Sequence, residues 1–146
     1  MPPLCWGREA VANRPLPEVD AVSEPYWRSV AAADLMLQKC TRCLRFRFYP
    51  RSLCPYCWRE GGEWTHVSGL GTLISFTRVS RAPLQVFRVD APYVIGLIDL
   101  DERVRLMARL TDVKDPDLQV GLRVRIGRYS VDGFALPCFR PETQSL

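Results

Sequence analysis

The sequence predicts a mainly β fold: a short N-terminal helix, a small cysteine-bearing ribbon, and then a closed barrel of about five strands. Three observations predict it. Cys40-Thr-Arg-Cys43 and Cys54-Pro-Tyr-Cys57 form two C-x-x-C pairs separated by ten residues. From Gly61 onward the chain breaks into strand-length runs rich in apolar residues. Those runs are divided by Gly69, Gly71, Asp101-Glu102 and Asp132-Gly133, the last of which is a strong hairpin signal.

The elements follow in order. Residues 1–22 read as an extended tail, because Pro2, Pro3, Pro15 and Pro17 interrupt any regular period. Ser23 is a candidate N-cap, with Glu24 and Pro25 suited to a first helical turn. Tyr26, Trp27, Val30 and Ala31 then recur at helical spacing, and Leu35–Lys39 reads as extended. Residues 23–60 therefore form a helix plus ribbon, and 61–141 a barrel, with 142–146 as a C-terminal tail.

Within the barrel, Glu63–Ser68 and Gly71–Val79 read as strands bent at their glycines. Residues 80–91 read as a loop, and no helix is expected after Gly61. Tyr93–Leu100 and Arg103–Leu110 flank Asp101-Glu102 as a hairpin. Leu122–Tyr129 and Phe134–Phe139 flank Asp132-Gly133 as another. Leu122-Arg-Val-Arg-Ile126 alternates strictly, giving one apolar and one basic face. A five-stranded barrel of this size fits an OB-fold, and periodicity alone does not separate it from an SH3-like barrel.

Bulk properties narrow the function classes. Hydrophobic residues at 47% and charged residues at 25% match an ordinary soluble domain. No apolar run approaches the ~20 residues that span a bilayer. Met1–Trp6 lacks a basic flank and apolar core, which argues against a secretory signal and for the cytoplasm. In that reducing compartment six cysteines imply a metal site rather than three disulfides. Net charge is +4, too small to indicate nucleic acid by itself. Of the 20 basic residues only Lys39 and Lys114 are Lys, a bias that codon usage explains.

Each C-x-x-C places two thiolates on one tight turn, and two such turns make a tetrahedral four-sulfur site. The metal is expected to be zinc, with iron the chemical alternative. Leu44–Leu53 is expected to form the hairpin that apposes the pairs, with Arg45-Phe-Arg-Phe48 alternating as a strand. With Cys40, Cys43, Cys54 and Cys57 all ligating, no position is left for water, so the metal is structural. Lys39, Arg42, Arg45, Arg47, Arg51 and Arg59 surround it with no acid between Lys39 and Arg59. This excess either compensates thiolate charge or meets a phosphate or acidic surface.

No catalytic constellation is evident. His66, the single histidine, reads as structural, and Cys138 as a small packed residue. Asp99, Asp101 and Glu102 read as a hairpin tip. Nucleophile-elbow, phosphate-loop and zinc-protease motifs are absent. The chain therefore reads as a binding or accessory subunit.

The assembled order carries a resemblance. Tyr26-Trp27 precede Leu37-Gln-Lys-Cys-Thr-Arg-Cys43, Phe48-Tyr-Pro-Arg51 and Cys54-Pro-Tyr-Cys57. Trp64, Ser68-Gly69, Gly71-Thr-Leu73, Ala91-Pro-Tyr-Val94, Gly121, Leu136-Pro137 and Phe139-Arg-Pro141 follow. From about Pro25 to Pro141 the chain resembles the zinc-ribbon plus OB-fold family associated with acyl-CoA metabolism. The resemblance implies a rubredoxin-like ribbon and an OB-fold. It also implies a thiolase-fold catalytic partner, in a complex expected to be a heterotetramer, such as an acyl-CoA thiolase or a thiolase-like aldolase of aromatic-hydrocarbon or steroid side-chain degradation. The small subunit would stabilise that partner and help hold coenzyme A. Arg47, Arg51, Arg78 and Arg81 are the candidates for its phosphates. Two departures stand out: Leu44 where Gly is usual, and Cys138 where a polar or basic residue is common. The competing function is a single-stranded nucleic-acid-binding module using the Arg123/Arg125 face. A third, a stand-alone enzyme, lacks a nucleophile–base pair.

Overall fold

A computed structural model of the chain describes residues 14–142. Its first element is α1, Glu24–Ala31. Ser23 precedes it as expected, but its hydroxyl does not cap the helix. Asp20 receives it instead, accepting from the Ser23 N–H at 2.7 Å and the Ser23 Oγ at 2.6 Å. These bonds hold the Asp20 carboxyl below its usual range. Tyr26 and Val30 face inward. Ser29 Oγ donates to the Tyr26 carbonyl and accepts from the Met36 N–H, which ties the helix to the next strand.

The first sheet has three short strands, β1 (Met36–Lys39), β2 (Phe46–Arg47) and β3 (Glu63–His66), in the order β2-β1-β3. Two features depart from expectation. β2 pairs with β1, not across a 44–53 hairpin, because the first C-x-x-C turn itself connects them. β3 also pairs with β1, from Met36↔His66 to Lys39↔Glu63, so residues after Gly61 return to complete the ribbon.

The remaining strands form a closed barrel. They are β4 (Leu70–Val79), β5 (Tyr93–Leu100), β6 (Arg105–Leu110), β7 (Arg123–Val131) and β8 (Phe134–Pro141), in the order β4-β5-β6-β8-β7. β6 and β8 run parallel, and β4 pairs with β7 to close the ring. The expected hairpins are present, and Asp132 and Gly133 both take positive φ (49° and 83°), as a type I′ turn requires. Two short helical turns lie after Gly61, where no helix is expected: α2 (Gln85–Arg88) and a 3₁₀ turn at Asp115–Asp117. Each is only about one turn, too short to leave a periodic signal.

Leu73, Ile98, Leu106, Val124 and Phe139 fill the barrel, and Tyr26, Val30, Leu35 and Leu37 belong to the same core cluster. Trp27 meets Phe134 edge-on at 5.3 Å, and Arg128 donates to the Ala31 carbonyl. The ribbon is therefore packed against the barrel.

Gly71 marks a close approach of backbone between strands. A Cβ there would lie 2.7 Å from both the Asp99 carbonyl oxygen and Ile98 Cγ2. Backbone cannot yield as a flexible side chain can, so Gly71→Ala is expected to cost about 1–3 kcal/mol. The readout is a lower urea midpoint at unchanged m-value.

Candidate functional site: a four-cysteine metal centre

The first C-x-x-C turn leaves β1 and returns as β2; the second lies in a loop closed by a Leu53–Glu60 bridge. In each, the residue after the second cysteine donates its N–H to the carbonyl of the first: Leu44 to Cys40 at 3.0 Å, and Trp58 to Cys54 at 2.9 Å. This repeated local bond curls both loops so that their sulfurs face each other. The ligand atoms of Cys40, Cys43, Cys54 and Cys57 all lie within 4.8 Å of one another. Sγ separations are 3.6 Å for Cys40–Cys57 and 3.7 Å for Cys43–Cys54. Metal–sulfur bonds of ~2.3 Å set tetrahedral sulfurs ~3.8 Å apart, so the cluster fits one tetrahedral ion.

The electrostatics agree with that fit. N–H groups of Cys43 and Arg42 pull the Cys40 thiol down to about 6. One N–H from Arg45 favours the Cys43 thiolate, but burial and the three neighbouring sulfurs prevail and push it up to about 11. Burial opposes ionisation of Cys54, yet N–H bonds from Tyr56 and Cys57 carry it below the ordinary value. Four crowded sulfurs thus resist full ionisation until a cation joins them.

Arg47 lies inside the ribbon and is 1% exposed. Its Nε donates to Gln38 Oε1 at 2.9 Å, and its Nη2 to the carbonyls of Arg51 at 3.0 Å and Gly61 at 2.7 Å. Buried and bonded in this way, it braces the ribbon. Arg51 is exposed, with Nε at 3.3 Å from the Tyr49 carbonyl. Arg78 pairs with Asp115, and Arg81 is exposed with no ion pair among the described residues. The structure does not gather the four around one cavity.

Elsewhere several titratable groups hold identified partners. His66 Nδ1 lies 3.0 Å from the Asp34 carboxylate, while Cys138 is buried and accepts from Thr111 Oγ1 at 3.7 Å. Asp99 is held low by its hydrogen bonds from Arg105, and Asp101 by those from Arg123. Arg123 and Arg125 also both reach Glu142. The basic face suggested for a nucleic acid is therefore answered by acids. Cys5 lies outside the described residues.

Sequence reasoning missed a concavity of about 280 Å³ on the barrel wall. There the Arg109 guanidinium lies 4.7 Å from the Tyr93 ring and 5.4 Å from the Tyr129 ring. Asp90 pairs with Arg109 and, more tightly, with Arg14 at 2.8 Å. Residues on strands far apart in sequence build it, so no local motif announced it.

Residues 28–61 match the family described as "ChsH2, rubredoxin-like zinc ribbon domain", and residues 64–127 the family described as "ChsH2, C-terminal OB-fold domain". A DUF35 domain-containing scaffold protein of Methanocaldococcus jannaschii is 32% identical over 100 residues, covering 67% of this chain and 70% of that protein. The chain belongs to the DUF35 family. Another relative, the benzoylsuccinyl-CoA thiolase subunit BbsA of Thauera aromatica, is 32% identical, with 70% and 71% of the two chains covered. A probable enoyl-CoA hydratase alpha subunit of Thermomonospora curvata is 27% identical over 89% of the DUF35 chain, which spans only 40% of that longer protein. Among solved structures, the Ltp2-ChsH2(DUF35) aldolase contains a chain that superposes with a TM-score of 0.75 at 25% identity, covering 86% of this chain and 98% of that one. Among the described residues no helix is long and apolar enough to cross a membrane.

Proposed function

We propose that this DUF35 chain is a non-catalytic accessory subunit of a thiolase-superfamily complex acting on an acyl-CoA. The observation that carries the reading is the match through both ribbon and barrel to a family that includes a thiolase subunit and a chain of a solved aldolase. His66, Asp99 and Asp101 support it, because each is engaged with an oppositely signed or acidic partner rather than in a nucleophile–base arrangement. Cys40, Cys43, Cys54 and Cys57 hold one zinc ion, which closes the ribbon and leaves no position for water. Metal analysis tests zinc against iron, since only an iron–thiolate site colours the protein.

The chain is proposed to act in the cytoplasm, in a heterotetramer with a thiolase-fold subunit, and to lend positive charge to the coenzyme A moiety. Arg51 and Arg81 are the arginines free to do so, with Arg78 available if it leaves Asp115. The defining experiment is co-expression. A thiolase-fold protein should co-purify, and its thiolysis or aldol cleavage should fall steeply without this chain. A partner fully active alone sinks the reading. In the complex, Arg51→Ala with Arg81→Ala is expected to raise KM for acyl-CoA by about tenfold at unchanged kcat, the loss of a charged hydrogen bond made equally in ground and transition states. Unchanged KM would exclude both residues from the coenzyme site.

A further inference from the structure

Leu44 and Trp58 occupy equivalent places, one residue after the second cysteine of each pair, and both stand at φ 59°. Non-glycine residues seldom adopt this left-handed region, and glycine fits it with no Cβ penalty. Here the two positions carry large apolar side chains instead. Neither strain is offset by burial, since Leu44 is 65% exposed and Trp58 77% exposed. The cysteine turns impose this φ through the N–H bonds of Leu44 and Trp58 to the first cysteines' carbonyls, but they do not call for a large apolar side chain, and an exposed one at both places points to something that covers them.

The surroundings have the make-up of an interface. Of twelve large hydrophobic residues exposed among the described residues, five fall between 44 and 58: Leu44, Tyr49, Leu53, Tyr56 and Trp58. That is a concentration, not the single scattered residues of an ordinary surface. Arg45 stands 5.1 Å over the Tyr56 ring, linking one cysteine loop to the other. Around them Arg42, Arg45, Arg51 and Arg59 are exposed and have no ion pair among the described residues. On the barrel, Arg78, Arg105, Arg109, Arg123 and Arg125 each hold an acid, while Arg81, Arg88, Arg103, Arg128 and Arg140 hold none among the described residues; what sets the ribbon apart is that its unpaired arginines ring exposed apolar side chains. An apolar centre with Trp in it and arginines at its rim is the composition of a protein-binding hot spot.

We infer that Leu44 and Trp58 are twin anchors, which seat the metal end of the ribbon in an apolar recess with an acidic rim on the thiolase-fold partner. Charge selects this occupant. A second copy would bring the same four arginines face to face across a two-fold contact, and those like charges repel. The inference rests on the function proposed above and adds to it the surface and the chemistry of the partner.

The test uses the full chain and its purified, identified thiolase-fold partner. Leu44→Gly with Trp58→Gly relieves both backbone outliers, so the melting temperature should hold or rise and metal content should not change. Affinity for the partner is expected to fall about 30-fold or more, as for loss of a Trp hot spot. Arg42→Glu with Arg59→Glu should slow association and flatten its salt dependence. Wild-type binding with an unaltered constant for the glycine variant overturns the inference and leaves the proposed function intact. A wild-type chain that binds no thiolase-fold protein removes both. A wild-type dimer that the glycine substitutions convert to a monomer makes the patch a self-contact, which also overturns it.

Discussion

Cys54→Ser is expected to melt the cysteine loops, residues 40–60, while the barrel keeps its own cooperative transition. The reason is the scarcity of any other core there. Between Cys40 and Glu60 the buried residues are Cys40, Arg47, Pro50 and Cys54. Phe46 and Phe48 only partly pack against the main cluster. Structural zinc contributes about 10–16 kcal/mol of apparent binding free energy in small modules, and there it is folding free energy. Losing one of four thiolates removes a large part of that. Hydrogen exchange should report lost protection at amides 40–60 and retained protection in β5, β7 and β8, with metal content falling in parallel. Chelation of the wild-type chain should reproduce the pattern. Protected loop amides in the metal-free protein would refute this account.

Arg47→Ala is expected to follow in size, at about 3–5 kcal/mol. One guanidinium joins β2 to Gln38 on β1, to the Arg51 carbonyl and to the Gly61 carbonyl. Gln38 Oε1 also accepts the Arg51 N–H at 3.0 Å, so the deletion loosens a network as well as three bonds. Truncation leaves buried acceptors without donors, the costly case. Lysine should not rescue it, because a single ammonium cannot present the planar fork these three acceptors require. The measurements are the rate at which a chelator strips the metal and the urea midpoint of the ribbon. Wild-type values for Arg47→Ala would show that the network is dispensable.

Arg47 also illustrates where the sequence stopped being legible. Arg45-Phe-Arg-Phe48 alternates as a strand, and alternation says only that two faces differ. The usual assumption puts the aromatic face inside. Here the arginine goes in, because the ribbon interior is lined by carbonyls as well as sulfurs. The cysteine spacing, by contrast, was legible because each C-x-x-C turn is local and carries its own geometry. Asp132-Gly133 was legible for the same reason. The return of β3 to β1 is not local: Glu63–His66 reads as a strand wherever its partner lies. The groove around Arg109 was hidden similarly, since Tyr93, Arg109 and Tyr129 meet only when the barrel closes. The positive φ at Leu44 had one indirect sign, the glycine usual at that place in the family the chain resembles, whereas at Trp58 nothing announced it.

The contact between Trp27 and Phe134, described above as packing, also sets an order of events during synthesis. The ribbon's strands are complete once residue 66 has emerged from the ribosome, and all four cysteines precede it. The surface on which α1 rests is supplied by β7 and β8, which lie far downstream of the ribbon. Chains emerge N-terminus first at ~5–20 residues per second, so several seconds separate the two. During that interval the nascent ribbon can take up its ion while its helix still lacks a seat. Metal capture can therefore begin before the barrel exists, whereas docking of helix on barrel must wait until β7 and β8 have emerged.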